Sequence, residues 1–267
     1  MLPTISFLGF DIPTYTIMAV LGLTAAALLV RHRCRGNEQI SSVQIVNIPA
    51  VSALGVFSGA HILYGITNLN KFWLCICNLQ TVFASWDSFW FYFADIFGGM
   101  VFYGGLIGGI IAGYIYCRCL KLDIPVYSDV LTPAIPLFHS FGRIGCFLGG
   151  CCYGIESSWG FLYEHSLVPE ADGVTRLPIQ LIESAGDLFI VAVLIILSKR
   201  IHKTGLLFPI YLLMYGILRM TTEFFRGDEI RGFLLGISTS QWISAFVIIA
   251  AIAALVKAVH PRKVNIA

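Results

Sequence analysis

The stretch FHSFGRIGCFLGGCCYG (138–154) ends an apolar segment and combines a histidine, an arginine, five glycines and three cysteines. At helical spacing of i, i+4, i+7 and i+11, one face carries His139, Arg143, Cys146 and Gly150. An arginine near the middle of a bilayer costs about 2.5 to 3.5 kcal/mol on insertion scales. This face is therefore expected to line a polar interior, and the planar guanidinium indicates an anionic ligand.

The rest of the chain has the composition of an integral membrane protein. Of its 267 residues, 57% are hydrophobic and only 12% are charged, and the mean hydropathy is +0.82. A soluble domain has roughly 25% charged residues. Apolar stretches of about 17 to 25 residues recur, which predicts an all-α, polytopic fold in a single domain over 1–267. The net charge of +2 indicates little about partners, and no nucleic-acid partner is expected.

Seven membrane-spanning helices are predicted from these stretches. They lie near 14–30, 43–66, 97–117, 127–149, 179–198, 205–223 and 240–257. The basic clusters at 31–35, 118–121, 198–203 and 257–263 all fall on one side, which the positive-inside rule makes cytoplasmic. The N-terminus is then outside and the C-terminus cytoplasmic, with an interfacial segment at 67–96 and an outer loop at 150–178.

Six basic residues remain on the outer half, where this rule expects few: Lys71, Arg143, Arg176, Arg219, Arg226 and Arg231. In YGILRMTTEFFR (215–226), the residues Arg219, Glu223 and Arg226 share one stripe at i, i+4 and i+7. Two explanations stay open for such charges. They either form ion pairs that hold neighbouring helices together or surround a bound anion.

Further polar residues lie on one face of the fifth predicted helix, at i, i+3 and i+7: Gln180, Glu183 and Asp187. The third predicted helix begins with the glycine-rich stretch FGGMVFYGGLIGG (97–109), in which Tyr103 is the polar side chain. Glycines four residues apart also favour close helix packing alone. Helices three to six are expected to enclose a cavity that holds both signs of charge.

Four stretches occur in the order of a known family: GGMVFYGGLIGG (98–109), GRIGCFLGGCCYG (142–154), RLPIQLIE (176–183) and YGILRMTTEFFR (215–226). Together they resemble the prolipoprotein diacylglyceryl transferase family over almost the whole chain. The resemblance implies an enzyme that moves the diacylglyceryl group of phosphatidylglycerol to the lipobox cysteine of a preprolipoprotein and releases glycerol phosphate. It also implies a bacterial cytoplasmic membrane protein with its site at the outer leaflet.

The resemblance also assigns site residues, while no cofactor and no metal ligand is expected. Those expected to bind the phospholipid are Arg143, Arg219, Glu223, Arg226, Gly104, Gly105, Gly154, Gln180, Glu183 and Tyr15. Arg143 and Arg219 would also stabilise charge on the leaving group. A base must take the proton of the attacking thiol.

Several positions depart from the family pattern. Tyr103 stands where the family has the histidine favoured as base, and Cys146 replaces an asparagine. Gly149 and Cys151 replace an asparagine and a glutamate. His139 is the first candidate for the base, because imidazole titrates near neutral pH. Tyr103 is the second, if nearby arginines favour its ionised form.

Three other functions stay open. A paralogue on this scaffold would transfer a lipid group from an anionic phospholipid to a different acceptor. The vicinal Cys151 and Cys152, with Cys146 in reach, could form a redox pair or hold a soft metal. Broken, glycine-rich helices with buried charges are also typical of lipid-binding or transport proteins.

Overall fold

The computed structural model describes residues 1–7, 9–36, 40–228 and 233–259. The chain divides into two compact units. Unit 1 comprises Met1–Gly36 and Ser128–Ala267, and unit 2 comprises Asn37–Tyr127. The single membrane domain expected over 1–267 stays a prediction.

The described residues are mainly helical. The elements before the site are β1 (Thr4–Phe7), β2 (Phe10–Pro13), α1 (Thr14–Cys34), α2 (Ser42–Thr67), α3 (Leu69–Cys77), α4 (Leu79–Val82), α5 (Trp86–Phe97) and α6 (Phe102–Cys119). They are followed by α7 (Ile124–Leu131), α8 (Ala134–Gly149), β3 (Glu156–Leu162), β4 (Thr175–Arg176), α9 (Ile179–Arg200), α10 (Leu207–Glu223), β5 (Phe233–Leu234), β6 (Ile237–Ser238) and α11 (Thr239–Val259). The strands form three antiparallel pairs, β1 with β2, β3 with β4 and β5 with β6.

Unit 1 is built on the packing of α8 against α1 and α9, and of α10 against α9 and α11. Ile190 and Leu194 of α9 form a buried cluster with Leu207 and Tyr211 of α10. A Cβ added at Gly22 of α1 would lie 2.8 Å from the Cβ of Phe141 on α8, so these two helices are in close contact. This packing brings the polar faces of α8, α9 and α10 together.

Unit 2 is dominated by a glycine seam between α2 and α6. A Cβ added at Gly59 would lie 2.2 Å from the carbonyl oxygen of Gly104, and one at Gly55 would lie 2.4 Å from that of Gly108. The helices can approach this closely only because neither side carries a side chain there. The glycine-rich start of α6 thus serves helix packing.

A helix lies at each of the seven predicted positions. Four of the helices are long and apolar enough to cross a membrane: Thr14–Cys34, Ser42–Thr67, Ile179–Arg200 and Thr239–Ala258. Gly104–Cys119 is apolar but shorter. The count of seven crossings and their orientation stay predictions.

Two of the predicted helices differ from those in the structure. The helix expected over 127–149 is two helices, because α7 ends at Leu131 and α8 begins at Ala134. Pro133 precedes α8, and a proline cannot donate the backbone hydrogen bond that a continuous helix requires. The helix expected from residue 97 begins only at Phe102, after the Gly98-Gly99 pair.

The segment expected at the membrane interface consists of the short helices α3, α4 and α5. In α5, the rings of Trp86, Phe89, Trp90 and Phe93 contact one another with centroids 5.4 to 6.0 Å apart. Its position along a membrane surface stays a prediction. The predicted outer loop, 150–178, contains the strands β3 and β4 and a 3₁₀ turn at Pro169–Ala171.

The helices expose large apolar side chains. Phe246 is 75% exposed, Leu54 is 68% exposed and Leu28 is 61% exposed. Soluble monomers rarely expose contiguous apolar surface on this scale. The exposed side chains and the long apolar helices together indicate a multi-pass membrane protein.

Candidate active site

Glu183 of α9 is the centre of an ionic network. Its carboxylate contacts the guanidinium of Arg143 on α8. It also lies 3.0 Å from Nη1 of Arg219 on α10 and 3.7 Å from Nη1 of Arg226, which follows α10. Arg219 in turn contacts Glu223 one turn along the helix, with Nη2 2.6 Å from Oε2. Three arginines from two segments thus converge on one carboxylate.

Hydroxyl and carboxylate groups complete this network. Three hydrogen bonds run from Thr222 to Glu183 (3.1 Å), from Ser238 to Glu223 (2.8 Å) and from Arg219 to Ser240 (3.2 Å). Asp228 accepts two hydrogen bonds from Arg226, at 2.9 and 2.8 Å. The side chains of Glu183 and Arg226 are only 5% and 3% exposed. Buried charges need partners of this kind, because the desolvation cost is several kcal/mol for each ion.

Arg143 retains hydrogen-bonding capacity. Its Nε is buried and has no hydrogen-bond partner among the described residues. An unsatisfied buried donor costs about 1 to 3 kcal/mol. The acceptor that suits a guanidinium best is an anionic oxygen, which forms a charge-assisted hydrogen bond.

His139 and Asp187 form a second polar pair beside the network. Nδ1 of His139 lies 2.8 Å from Oδ2 of Asp187, whose side chain is fully buried. The imidazole, 37% exposed, contacts the ring of Tyr215 edge to face. A base oriented by a carboxylate is the arrangement that activates nucleophiles in many enzymes.

A polar cavity connects the pair and the network. Its volume is about 10 Å³, roughly the space of one water molecule. It is lined by His139, Glu183, Asp187, Tyr215, Leu218, Arg219 and Thr222. The imidazole and the central carboxylate therefore face the same space.

An apolar cavity of about 280 Å³ adjoins the polar one. It is lined by Leu177, Ile179, Ile182, Leu218, Thr221, Thr222 and Phe225. Leu218 and Thr222 line both cavities. Ligand sites in proteins typically have volumes of about 300 to 1,000 Å³, so this cavity is close to the lower limit of that range. The two spaces together suit an amphipathic ligand.

The three cysteines of the opening stretch meet in the turn after α8. Their sulfur atoms all lie within 4.8 Å of one another. Gly150 ends the helix with a φ of 76°, and the backbone N–H of Cys151 donates to the carbonyl of Cys146 (3.1 Å). This left-handed helix end turns the chain back on itself and gathers the thiols.

Hydrogen bonds within the turn set the thiol pKa values in opposite directions. The pKa of Cys152 is lowered because the thiols of Cys146 and Cys151 donate to its sulfur, with Arg226 and Arg143 adding to the effect. The pKa of Cys151 is raised by its interactions with the thiols of Cys146 and Cys152 and by burial.

Other residues predicted for the site lie around this turn. Gln180 is fully buried, accepts a hydrogen bond from Tyr163 (3.0 Å) and donates one to the carbonyl of Cys151 (2.8 Å). The backbone of Gly154 forms an antiparallel β-bridge with that of Arg226. A Cβ added at Gly154 would lie 2.4 Å from the carbonyl oxygen of Leu177. Both residues thus hold the turn against its surroundings, and their contact with a lipid stays a prediction.

Tyr15 of α1 is half-exposed and lies near the turn. Its ring atom Cδ2 is 3.0 Å from the position of a Cβ added at Gly145, and the ring is close enough to Arg143 and the three cysteines to interact electrostatically. The predicted role of Tyr15 in binding the phospholipid stays a prediction.

The remaining predicted residues belong to unit 2. Gly104 and Gly105 lie in the seam between α6 and α2, where Gly104 opposes Gly59 and Gly105 opposes Val56. Tyr103 lies on α6, but its side chain is outside the described residues. A role of these three residues in the site stays a prediction. The predicted residues that the structure brings together all belong to unit 1: His139, Arg143, Glu183, Arg219, Glu223 and Arg226.

Some residues of the site were not predicted. Thr222, Ser238 and Ser240 hold the network by hydrogen bonds, and Asp228 pairs with Arg226. Hydroxyl residues are common throughout the chain, so spacing alone does not distinguish them. Of these four residues, only Asp228 could have been identified from the sequence. It lies two residues after Arg226, and a carboxylate so close to an arginine on the outer half of the chain indicates an ion pair.

Comparisons with known proteins place the chain in a family. The family described as prolipoprotein diacylglyceryl transferase matches residues 3–257. The chain belongs to the prolipoprotein diacylglyceryl transferase family. The resemblance found in the sequence is thereby confirmed.

Individual relatives cover nearly all of the chain. A phosphatidylglycerol–prolipoprotein diacylglyceryl transferase of Clostridium tetani is 34% identical over 90% of this chain and 91% of its own length. The enzyme numbered 2 in Clostridium perfringens is 32% identical over 91% of this chain and 90% of its own length. That of Geobacter sulfurreducens is 32% identical over 83% of this chain and 81% of its own length. The similarity to this transferase family therefore includes both units.

Proposed function

We propose that the protein transfers the diacylglyceryl group of phosphatidylglycerol to the lipobox cysteine of a preprolipoprotein. In this reaction the sulfur forms a bond to the glyceryl carbon, the bond from that carbon to the phosphate oxygen breaks, and glycerol phosphate leaves. The thiol proton passes to a base. The names of the relatives give the lipid donor and the prolipoprotein acceptor.

The observation that carries the proposal is the pair of adjoining cavities. In the proposal the phosphate group lies beside Arg219, where the small polar cavity must widen to admit it, and acyl chain segments lie in the apolar cavity next to Ile182 and Phe225. Since Leu218 and Thr222 line both cavities, one lipid can occupy both, with its glyceryl carbons at the boundary. The bond that breaks would then lie between the arginines and the apolar surface.

The arginines have two roles in this scheme. Arg143, with its free buried Nε, binds the phosphate, and Arg219 and Arg226 lie around the same carboxylate. As the carbon–oxygen bond breaks, negative charge grows on the leaving phosphate. Guanidinium groups already fixed in place stabilise that charge without reorganisation.

His139 is the base in this proposal. Asp187 holds Nδ1, which leaves Nε2 to accept the proton of the incoming thiol. Tyr103 is the alternative base that the sequence predicts. The site is open to the outer leaflet of the bacterial cytoplasmic membrane in the seven-helix arrangement with the N-terminus outside.

The test is an assay of purified protein in phosphatidylglycerol-containing nanodiscs with a lipobox peptide. Mass spectrometry is expected to show the diacylglyceryl thioether peptide and released glycerol phosphate. A peptide with serine in place of the cysteine is the control. No product, while a related transferase is active in parallel, would contradict the proposal and favour a paralogue with another acceptor.

Two variants then separate the candidate bases. His139→Ala is expected to reduce kcat by between about 10²- and 10⁴-fold, the range that general-base catalysis contributes. Tyr103→Phe is expected to keep most of the activity. The reverse ranking would assign the base to Tyr103.

A further inference from the structure

The cysteine turn brings three thiols to one point although the transfer scheme uses none of them. Cys146 comes from the last turn of α8, and Cys151 and Cys152 follow its left-handed end at Gly150. All three sulfur atoms lie within 4.8 Å of one another and are partly buried. A disulfide would use two of them and leave the third unexplained.

The backbone holds this arrangement in place. Cys152 has a φ of 58°, a conformation that a residue with a Cβ adopts only when its surroundings impose it. Before Cys152, the carbonyl of Cys151 accepts a hydrogen bond from the side chain of Gln180. After Cys152, the carbonyl of Tyr153 accepts one from the N–H of Gly227 (3.0 Å). The thiols are therefore preorganised by contacts on both sides of the turn.

The spacing of the sulfur atoms suits metal coordination. Zinc–sulfur bonds are about 2.3 Å long, so two thiolates of a tetrahedral site are separated by roughly 3.8 Å. The upper limit of 4.8 Å in the turn is within about 1 Å of that distance. The sulfur-to-sulfur distances would therefore have to shorten by at most about 1 Å for the ion to bind.

The surrounding charge also favours such a site. Arg143 and Arg226 act electrostatically on the Cys152 sulfur, and Arg226 lies within its hydrogen-bonding reach. Three thiolates and a divalent ion carry a net charge of about −1. The neighbouring guanidinium groups can balance this charge.

We propose that Cys146, Cys151 and Cys152 form a binding site for one thiophilic metal ion with the chemistry of Zn²⁺. The three thiolates supply three ligands, and water supplies the fourth, as is common where a protein contributes only three. Binding releases the thiol protons and oxidises nothing. Metal binding can be measured directly, so the proposal can be tested without an activity assay.

Equilibrium dialysis of the reduced full-length protein against Zn²⁺ is expected to give one tightly bound ion per chain. Cys146→Ser, Cys151→Ser and Cys152→Ser are each expected to weaken binding at least tenfold. Cys117→Ser and Cys119→Ser are matched controls in α6 and are expected to bind as the parent does. Absence of a bound ion in the parent protein, or full binding in the triple serine variant, would overturn the proposal.

A second measurement avoids variants that fail to fold. The unsubstituted protein is alkylated with and without Zn²⁺, and the modified cysteines are mapped by mass spectrometry. Zinc is expected to protect Cys146, Cys151 and Cys152 and to leave the exposed Cys77 and Cys119 as reactive as before. Equal alkylation of the three thiols in both conditions would also overturn the proposal.

Discussion

At the residue scale, the stability of the site depends most on Glu183, because three arginines share its carboxylate. Glu183→Gln removes this charge and leaves buried guanidinium groups without their common partner. Breaking a buried ion pair from one side costs about 3 to 5 kcal/mol. The free energy of unfolding in detergent is expected to fall by this amount.

The matched control for this variant is Glu156→Gln. The Glu156 side chain is 73% exposed and lies 3.9 Å from Arg176. An exposed pair contributes about 0 to 1 kcal/mol, so the control is expected to keep nearly the parent stability. If the free energy of unfolding falls equally in the two variants, the network does not stabilise the fold.

Asp187 acts on the chemistry through His139. Asp187→Asn keeps the shape of the side chain but removes the charge that orients the imidazole. We expect kcat to fall by at least about 10-fold, within the range of general-base effects, while KM for phosphatidylglycerol stays close to that of the parent. Steady-state kinetics over a range of lipid concentrations separates the two constants.

Asp11→Asn is the corresponding control, since Asp11 lies in the β1–β2 hairpin and contacts Ser6. Its kcat is expected to match the parent. If Asp187→Asn changes KM alone, Asp187 has no role in positioning the base.

The sequence predicted much of the site at this scale. Charges at helical spacing in an apolar stretch are costly, so Arg219, Glu223 and Arg226 can be recognised as a group from their spacing alone. The partners of these charges depend on which helix faces pack together, and that information is not contained in the spacing within one helix. The central role of Glu183 is therefore visible only in the packing of α8, α9 and α10.

At the element scale, the seam between α2 and α6 is expected to be sensitive to single methyl groups. Gly59→Ala places a Cβ 2.2 Å from the carbonyl oxygen of Gly104, so the helices must separate. Overpacking of this kind costs about 1 to 3 kcal/mol. Thermal unfolding in detergent is expected to show a lower midpoint.

Gly142→Ala provides the comparison within α8. A Cβ at Gly142 meets no atom within 4 Å, and alanine has a helix propensity about 1 kcal/mol more favourable than glycine. This variant is expected to unfold at or above the parent midpoint. A lower midpoint for Gly142→Ala than for Gly59→Ala would contradict the packing argument.

Hydrophobic length predicted where the helices lie, but it could not predict their interruptions. The break between α7 and α8 occurs at Pro133 within an apolar run, and the run itself gives no boundary. The hairpin of β1 and β2 precedes the first apolar stretch, where no element was expected. Such short strand pairs depend on contacts with the rest of the fold. One of these contacts is the hydrogen bond from the N–H of Leu2 to the carbonyl of Leu148 (2.8 Å).

At the scale of the whole molecule, the apolar cavity links the exposed hydrophobic surface to the site. Ile182→Trp is expected to fill the cavity and raise KM severalfold for phosphatidylglycerol with long acyl chains. The effect on a short-chain analogue is expected to be smaller, because its tails occupy less of the cavity. Initial rates with both lipids measure the difference.

Ile217→Trp adds the same bulk at a residue of α10 that is 51% exposed and does not line the cavity. It is expected to behave as the parent with both lipids. An equal rise of KM in both variants would assign the effect to the added tryptophan rather than to the cavity.

The ionic network is electrically balanced in the resting protein, since Arg143, Arg219 and Arg226 contact Glu183, Glu223 and Asp228. A phosphodiester that binds these guanidinium groups competes with the three carboxylates for them and adds one negative charge to the balanced set. Lipid binding is therefore expected to be coupled to the uptake of about one proton. Calorimetric titration with glycerol phosphate in two buffers of different ionisation enthalpy would reveal it, and identical binding enthalpies would contradict it. Since His139 must stay neutral to act as the base, this proton is expected on one of the carboxylates, from which it would be available to the leaving group when glycerol phosphate departs.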